Sequence, residues 1–187
     1  MPQGKVSSRE RMVNSAVKLL ATRGAAGITI DGVLADSGAP RGSVYHHFPG
    51  GREELITAAA RAAGERMSAF LQQDDGPVHP RKALAHLAEF WRSLLTASDY
   101  GSGCPIVALT VGGGDQVPAA AEIARKVFTG WHEQYRDLLA AHGVPQERAA
   151  ALATLTVASI EGAVILARAQ RSTAPLDEVI AELTALV

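Results

Sequence analysis

Arg41, Ser43, His46 and His47 fall within seven residues of one another, in the segment RGSVYHH. On a short helix these side chains, with Gly42 among them, would face outward as a set of hydrogen-bonding groups. Arg41 is the best base reader of the set, because its guanidinium fork fits the O6 and N7 acceptors of guanine in a major groove. Thr29, Tyr45 and Arg52 flank the set and suit phosphate oxygens, which position a protein on a duplex without reading its sequence. Metal chemistry is not expected here. Adjacent histidines on a helix diverge by about 100°, so His46 and His47 do not share an ion easily. No histidine lies three or four residues from another histidine or from Cys104. Catalytic constellations are also missing from the sequence. The GGGD run at residues 112–115 lacks the Lys-Ser/Thr of a phosphate loop, and no Gly-x-Ser-x-Gly elbow or carboxylate pair occurs. Neither an enzyme nor a cofactor is expected.

The elements that must position those side chains are legible in ITIDGVLADSGAPRGSVYHHFPGGREEL, residues 28–55. Thr29 can cap a short helix with Ile30, Val33 and Leu34 inward. Gly38 can end it in a left-handed conformation. Pro40 suits the first position of the next helix, whose N–H would be unpaired anyway. Val44, Tyr45 and Phe48 turn inward or toward a groove wall. Pro49-Gly50-Gly51 interrupts the chain, and Arg52 opens a further helix with Glu53 and Glu54 in its first turn. Upstream, a helix over 8–23 has a possible capping box in Ser7 and Glu10 and a stripe of Val13, Ala16, Val17 and Leu20. The layout is a three-helix head whose second and third helices form a helix-turn-helix.

The string GSVYHHFPGGREEL after ADSGAP resembles the DNA-binding domain of TetR-type repressors. In that family the recognition helix ends in Tyr-x-x-Phe and a basic residue follows a short break; here these are Tyr45-His46-His47-Phe48 and Arg52. The match covers residues 8–56. With the later Gly103-Cys104-Pro105, the fuller string GAPRGSVYHHFPGGREEL is similar to the LmrA/YxaF-like subgroup. One departure stands out. Many members carry Ala-Gly-Val-Ser at the turn, whereas this chain has Ser37-Gly38-Ala39-Pro40. Any cap or phosphate contact made by that serine oxygen is lost. The resemblance implies a homodimer on double-stranded operator DNA, with a body that binds a small apolar effector.

Charge divides the chain in the same sense. Residues 1–52 hold seven Lys or Arg against three Asp or Glu, so they carry +4 of a formal net charge of −1, and the remainder carries −5. A basic head on an acidic body suits a protein that reads DNA with one part only. The single cysteine fits a reducing cytosol, and no signal-peptide pattern opens the chain, so a cytoplasmic location is expected.

The rest of the chain reads as all-helical, giving about nine helices in all: a DNA-binding domain over 1–52 and a ligand-binding and dimerisation domain over 53–187. Expected helices run from Arg52 to about Gln73, with Ile56, Ala59, Ala63, Met67 and Phe70 on one face, then over 80–97, 104–111, 117–142, 146–171 and 174–187. Asp74-Asp75-Gly76-Pro77 and Gly112-Gly113-Gly114 mark two of the breaks. The stretch 149–167 approaches membrane-span length. Glu161 past its middle and its many Ala, Thr and Ser residues argue against a span and for a core or interface helix. From this follows a dimer through the last two helices, with Leu152, Leu155, Ile160, Gly162, Ala163, Val179 and Leu183 at its interface.

Phe90, Trp91, Phe128, Trp131 and Tyr135 hold five of the nine aromatics. They can pack as plain core or wall a cavity between helices. The resemblance favours the cavity, and Leu94, Cys104, Val107 and Glu161 are expected beside those rings. Glu161 needs a partner in apolar surroundings, either a ligand or an Arg across a dimer. Cys104 reads as a buried small hydrophobe, or as a thiol acidified at a helix start. Two rivals to a ligand-responsive regulator follow from the same residues. A DNA-binding protein without an effector would have its body filled solid by the aromatics. A helical enzyme or ligand carrier with an incidental helix-turn-helix would fail to bind any DNA at low salt.

Overall fold

The computed structural model describes residues 6–71, 79–111 and 117–187, apart from the side chains of Phe70 and Leu71. Among the described residues there are nine α-helices and no strand: α1 (Ser8–Arg23), α2 (Ile30–Ser37), α3 (Arg41–His47), α4 (Gly51–Leu71), α5 (Pro80–Ala97), α6 (Pro105–Val111), α7 (Pro118–Ala141), α8 (Gln146–Gln170) and α9 (Ala174–Ala185). The expected glycine break at 112–114, the break at 74–77 and the end of α4 near Gln73 lie outside the described residues. Elsewhere the sequence boundaries hold to within one or two residues. The chain divides into two compact units, Met1–Glu65 with Pro105–Ala124, and Arg66–Cys104 with Arg125–Val187. This is not the expected division at residue 52, because α6 packs against α1 and so returns to the first unit.

In that first unit, local chemistry fixes each helix end. Ser7 Oγ accepts from Glu10 N at 3.1 Å to start α1. Thr29 Oγ1 accepts from Gly32 N at 3.0 Å to start α2, and Gly38 ends it at φ +62°. That backbone is costly for a residue with a Cβ. Pro40 sits at the N-cap of α3, one residue earlier than expected, with no side-chain cap bond. Its carbonyl instead accepts from Ser43 N at 2.9 Å and Ser43 Oγ at 2.6 Å. At the start of α4, Glu54 Oε2 accepts from Gly50 N at 2.8 Å. The core is Met12, Leu20, Ile28, Val33, Val44, Phe48 and Leu55, all fully buried. Each such large side chain contributes roughly 1.5–3 kcal/mol relative to exposure.

The second unit is built from α5, α8, α9, the last residues of α4 and α7 from Arg125 onward. Here α8 lies along α9, and α5 packs on both. His79 caps α5 through Nδ1, and Pro80 stands in its first turn. Arg92 Nε donates to Asp177 Oδ1 at 2.7 Å, joining α5 to α9. Helix α8 is long and apolar enough to cross a bilayer. In this fold its Leu152, Ala153, Thr156, Ile160, Ala163, Val164 and Ala167 form a face buried within the chain.

That burial corrects the expected dimer surface. Leu152, Ile160, Ala163 and Leu183 are core residues of the single chain, so a second chain cannot reach them. The helix is two-sided, and the other side is the accessible one. Leu155, Ile165, Leu166 and, on the last turn of the chain, Leu186 are exposed by 43–54%. Of the other expected residues, Gly162 and Val179 are half-buried.

Candidate nucleic-acid interface and internal cavity

Within the first unit, α2 and α3 meet α1 through Val33 and Val44, which are fully buried. This leaves the other sides of α3 for solvent. Arg41, Gly42, Tyr45 and His46 are exposed, and Ser43 and His47 are half-buried. Tyr45, with 64% of its surface exposed, points outward, the second of the two settings expected of it. Arg41 Nη2 lies 3.1 Å from Asp31 Oδ1 on α2, with both side chains largely in water. The pair is weak at such exposure but pre-orients the guanidinium. Thr29, assigned to phosphate, is exposed at the start of α2, where its hydroxyl oxygen already serves as the cap.

Arg52 departs most from expectation. Its Nε donates to Ile28 O and its Nη2 to Ala25 O, both at 2.7 Å in part-buried surroundings. Two of its donors therefore hold the α1–α2 connection onto α4 rather than reaching outward to a phosphate. Arg11 does a similar job, donating through Nε to Ser37 O and through Nη1 to Val6 O. Lys18 contacts Asp36, and this hydrogen bond, followed by that of Ser15, holds the Asp36 carboxyl below its ordinary range. Apart from Val6 O, the carbonyls that Arg11 and Arg52 serve lie 26, 24 and 27 residues away in sequence, so no local motif announced them.

The second unit contains a cavity of about 530 Å³, part of it shared with open solvent. Its walls are Met67 from α4, Leu84, Leu87 and Trp91 from α5, Trp131 and Tyr135 from α7, and Thr156, Ile160 and Glu161 from α8, completed by Ala83 and Val157. Of the expected ligand residues, Trp91, Trp131, Tyr135 and Glu161 are brought together here. Phe90 and Phe128 stand behind the wall, packed edge-on against Trp91 and Trp131 with ring centroids 5.3 Å apart. Leu94, half-buried, lies one turn beyond Trp91 and does not line the space, and Val107 belongs to the first unit. Cys104 is buried, and its thiol hydrogen-bonds to the Glu161 carboxyl. Ile160, expected at a dimer surface, is instead part of this wall. The helical spacing of Leu84, Leu87 and Trp91 puts them on one face of α5. No signal separated Thr156 and Ile160 from any other inward position on α8.

Trp131 Nε1 and Glu161 Oε2, on two of the lining residues, are buried with no hydrogen-bond partner among the described residues. Burial pushes the Glu161 carboxyl up to about 7, opposed by the thiol of Cys104. It pushes the Tyr135 phenol up to about 12, opposed in part by the neighbouring Thr156 hydroxyl. One end of the loop before Cys104 is held by Arg168, whose Nη2 donates to Gly101 O at 3.1 Å. A Cβ on Gly103 would come within 2.7 Å of Arg168 Nη1, so glycine there lets the guanidinium lie across the loop.

Residues 13–59 match the family model of bacterial regulatory proteins of the tetR family, and residues 80–182 match that of the C-terminal domain of LmrA/YxaF-like transcriptional regulators. The chain belongs to the TetR family, in its LmrA/YxaF-like branch. An HTH-type transcriptional regulator of Mycobacterium tuberculosis is 41% identical over 175 residues, covering 90% of this chain and 88% of that protein. The HTH-type regulator LmrA of Bacillus subtilis is 26% identical, covering 90% of each. Among solved structures, a TetR transcriptional regulator from Chloroflexus aurantiacus superimposes with a TM-score of 0.79 at 29% identity, covering 95% of this chain and 92% of the other. A TetR regulatory protein from Rhodobacter sphaeroides shares the fold with a TM-score of 0.85 at 20% identity, covering 96% and 98%. This TetR-type chain is thus a helix-turn-helix transcriptional regulator, from a family of regulators rather than enzymes.

Proposed function

We propose that this TetR-type regulator is a cytoplasmic, homodimeric repressor that leaves a palindromic operator when a small molecule fills the cavity of the second unit. The observation that carries the reading is α3 itself, the second helix of a helix-turn-helix. It is anchored by a fully buried Val44 while Arg41, Tyr45 and His46 stand in solvent. Arg41, Ser43, His46 and His47 then meet base edges, Gly42 faces the groove floor, and Thr29 and Tyr45 meet phosphates. Arg52 supports this surface from behind. The exposed apolar row of Leu155, Ile165 and Leu166 on α8 supports pairing of two chains through α8 and α9. Two heads related by a two-fold axis match half-sites about 34–36 Å apart.

An effector shifts a population between DNA-competent and DNA-incompetent arrangements, in proportion to its differential affinity for the two. The cavity favours this over a regulator whose body only dimerises, since the aromatic rings wall a space rather than fill it. The test is fluorescence anisotropy of the full-length protein on DNA from the intergenic region beside its own gene. Expected is nanomolar, steeply salt-dependent binding that Arg41→Ala weakens at one base position. Equal binding to that DNA and to scrambled DNA at every salt concentration would remove the operator claim.

A further inference from the structure

One carboxylate stands on the surface that the head would turn toward DNA. Asp31 lies in the first turn of α2, two residues after Thr29, and its side chain is 71% exposed. Its Oδ1 is 3.1 Å from Nη2 of Arg41, the first residue of α3. A negative charge there is repelled by phosphates and lowers affinity for every duplex alike. Other acids of the head serve the fold. Asp36 pairs with Lys18 of α1, and Glu54 accepts from Gly50 N at the start of α4. Asp31 is placed differently. The cap of α2 is Thr29, and an ion pair as exposed as that with Arg41 adds little to stability. The helix dipole favours an acid at any first-turn position and does not select this one. What the pair does is local. It restrains a long side chain that would otherwise lose its rotamer freedom on docking, and it engages one edge of a guanidinium that has five donors. Enough donors remain for guanine O6 and N7.

We propose that Asp31 and Arg41 read DNA as a pair: Asp31 holds the guanidinium toward one guanine and offers its second oxygen to the amino group of a cytosine beside it. A carboxylate is an acceptor only. In the major groove, guanine and thymine present acceptors to it and adenine a donor next to an acceptor, whereas cytosine presents its N4 donor alone. Water leaves the groove when the head docks, so the attraction within the pair strengthens there. Asp31 therefore lowers affinity in general and raises discrimination, since a selective surface needs a repulsive element as well as attractive ones. The inference rests on the docking of α3 proposed above and adds to it a residue from α2 and a second base.

The experiment selects bound duplexes from a library with a randomised centre and sequences them, using the full-length wild type, Asp31→Ala, Arg41→Ala and the double variant. Folding is verified by circular dichroism, and Asp31→Ser replaces Asp31→Ala should the latter lose the fold. The wild type should select a two-fold symmetric motif with a guanine column that Arg41→Ala erases. Asp31→Ala should weaken the preference at that guanine by about 3–10-fold, the range for one hydrogen bond, and should lose a neighbouring cytosine column. The remaining columns should keep their preferences, which a merely structural role for Asp31 would blunt alike. Binding to a duplex outside the motif should tighten in Asp31→Ala. In the double variant the removal of Asp31 should change nothing further at the guanine. A guanine preference in Asp31→Ala as sharp as in the wild type, an equal loss at every column, or a cytosine column that persists would overturn the paired reading and leave the docking of α3 intact. A wild type that selects no motif, or an Arg41→Ala that loses no column, would overturn the docking itself.

Discussion

The two units differ in the polar groups they leave over. In the first, the guanidiniums of Arg11 and Arg52, the hydroxyls of Ser7 and Thr29 and the carboxylate of Glu54 all bond to backbone, and each secures a helix end or a crossing. In the second, the indole N–H of Trp131 and a carboxylate oxygen of Glu161 are buried with no partner among the described residues. Both units bury apolar cores, so the contrast is not one of burial alone. A surface that must fit a duplex needs a fixed backbone, and saturated hydrogen bonds supply it. The placement of unsatisfied groups thus separates the proposed DNA-reading unit from the unit with the cavity more clearly than hydrophobicity does.

The largest effect that could break this contrast comes from α8. Ile160→Asp places an unpaired charge at a position 3% exposed and should cost more than ~4 kcal/mol, unfolding the second unit. Leu166→Asp, on the opposite side of the same helix and 50% exposed, should change the stability of one chain by no more than about 0.5 kcal/mol. It should convert a sedimenting dimer to a single chain. Denaturation and sedimentation velocity on the two variants decide whether both faces of α8 have the assigned roles, and a dimeric Leu166→Asp would move the interface elsewhere.

Next in size, Arg52→Ala should destabilise the head by about 3 kcal/mol, since two hydrogen bonds from a charged group are lost and two carbonyls are left unpaired. Urea unfolding followed by head-specific amide signals checks it. An unchanged stability with a salt slope on DNA reduced by about one would restore Arg52 to the phosphate contacts.

A comparable effect is expected for pH in the empty second unit. Glu161 holds its proton more tightly folded, at about 7, than at the ordinary 4.5, so the folded state carries the extra proton between these values. Its contribution is fully present below the lower value and is lost as pH rises through the upper one, by up to about 3 kcal/mol. Melting temperature should therefore fall from pH 4.5 to 7 more steeply in the wild type than in Glu161→Gln. Parallel profiles would mean that Oε2 is satisfied after all.

The smallest effect sharpens the head. Arg41→Ala should cost about 1–3 kcal/mol of operator affinity and relax one base position, as read by competition among single-base operator variants, with stability unchanged.

The helix boundaries were readable because caps and breakers are local. Ser7, Thr29, Gly38 and Pro80 each act within one turn of where they stand. The head surface was readable for the same reason, since α3 is short and its inward residue, Val44, is plain from spacing. What stayed hidden depends on partners distant in sequence. Nothing near Arg52 tells that its donors end on carbonyls 24 and 27 residues earlier. Likewise, an all-round apolar helix does not say which side meets its own chain. Ile160 and Leu166 look alike in sequence, yet one lines the cavity and the other stands in solvent. Phe90 and Phe128 look no different from the adjacent Trp91 and the nearby Trp131, but only the tryptophans reach the space.

The two-sidedness of α8 has a consequence for how such a protein would be measured. Thr156, Ile160 and Glu161 line the cavity, while Leu155, Ile165 and Leu166 stand exposed, where a second chain is proposed to pack. Guest and partner would then act on one rigid rod, and any preference of either for a particular setting of that rod must be felt by the other to the same degree. The apparent affinity for a small molecule should accordingly vary with the protein's own concentration around the point where pairs come apart. A titration at one dilution would report a mixture of two constants.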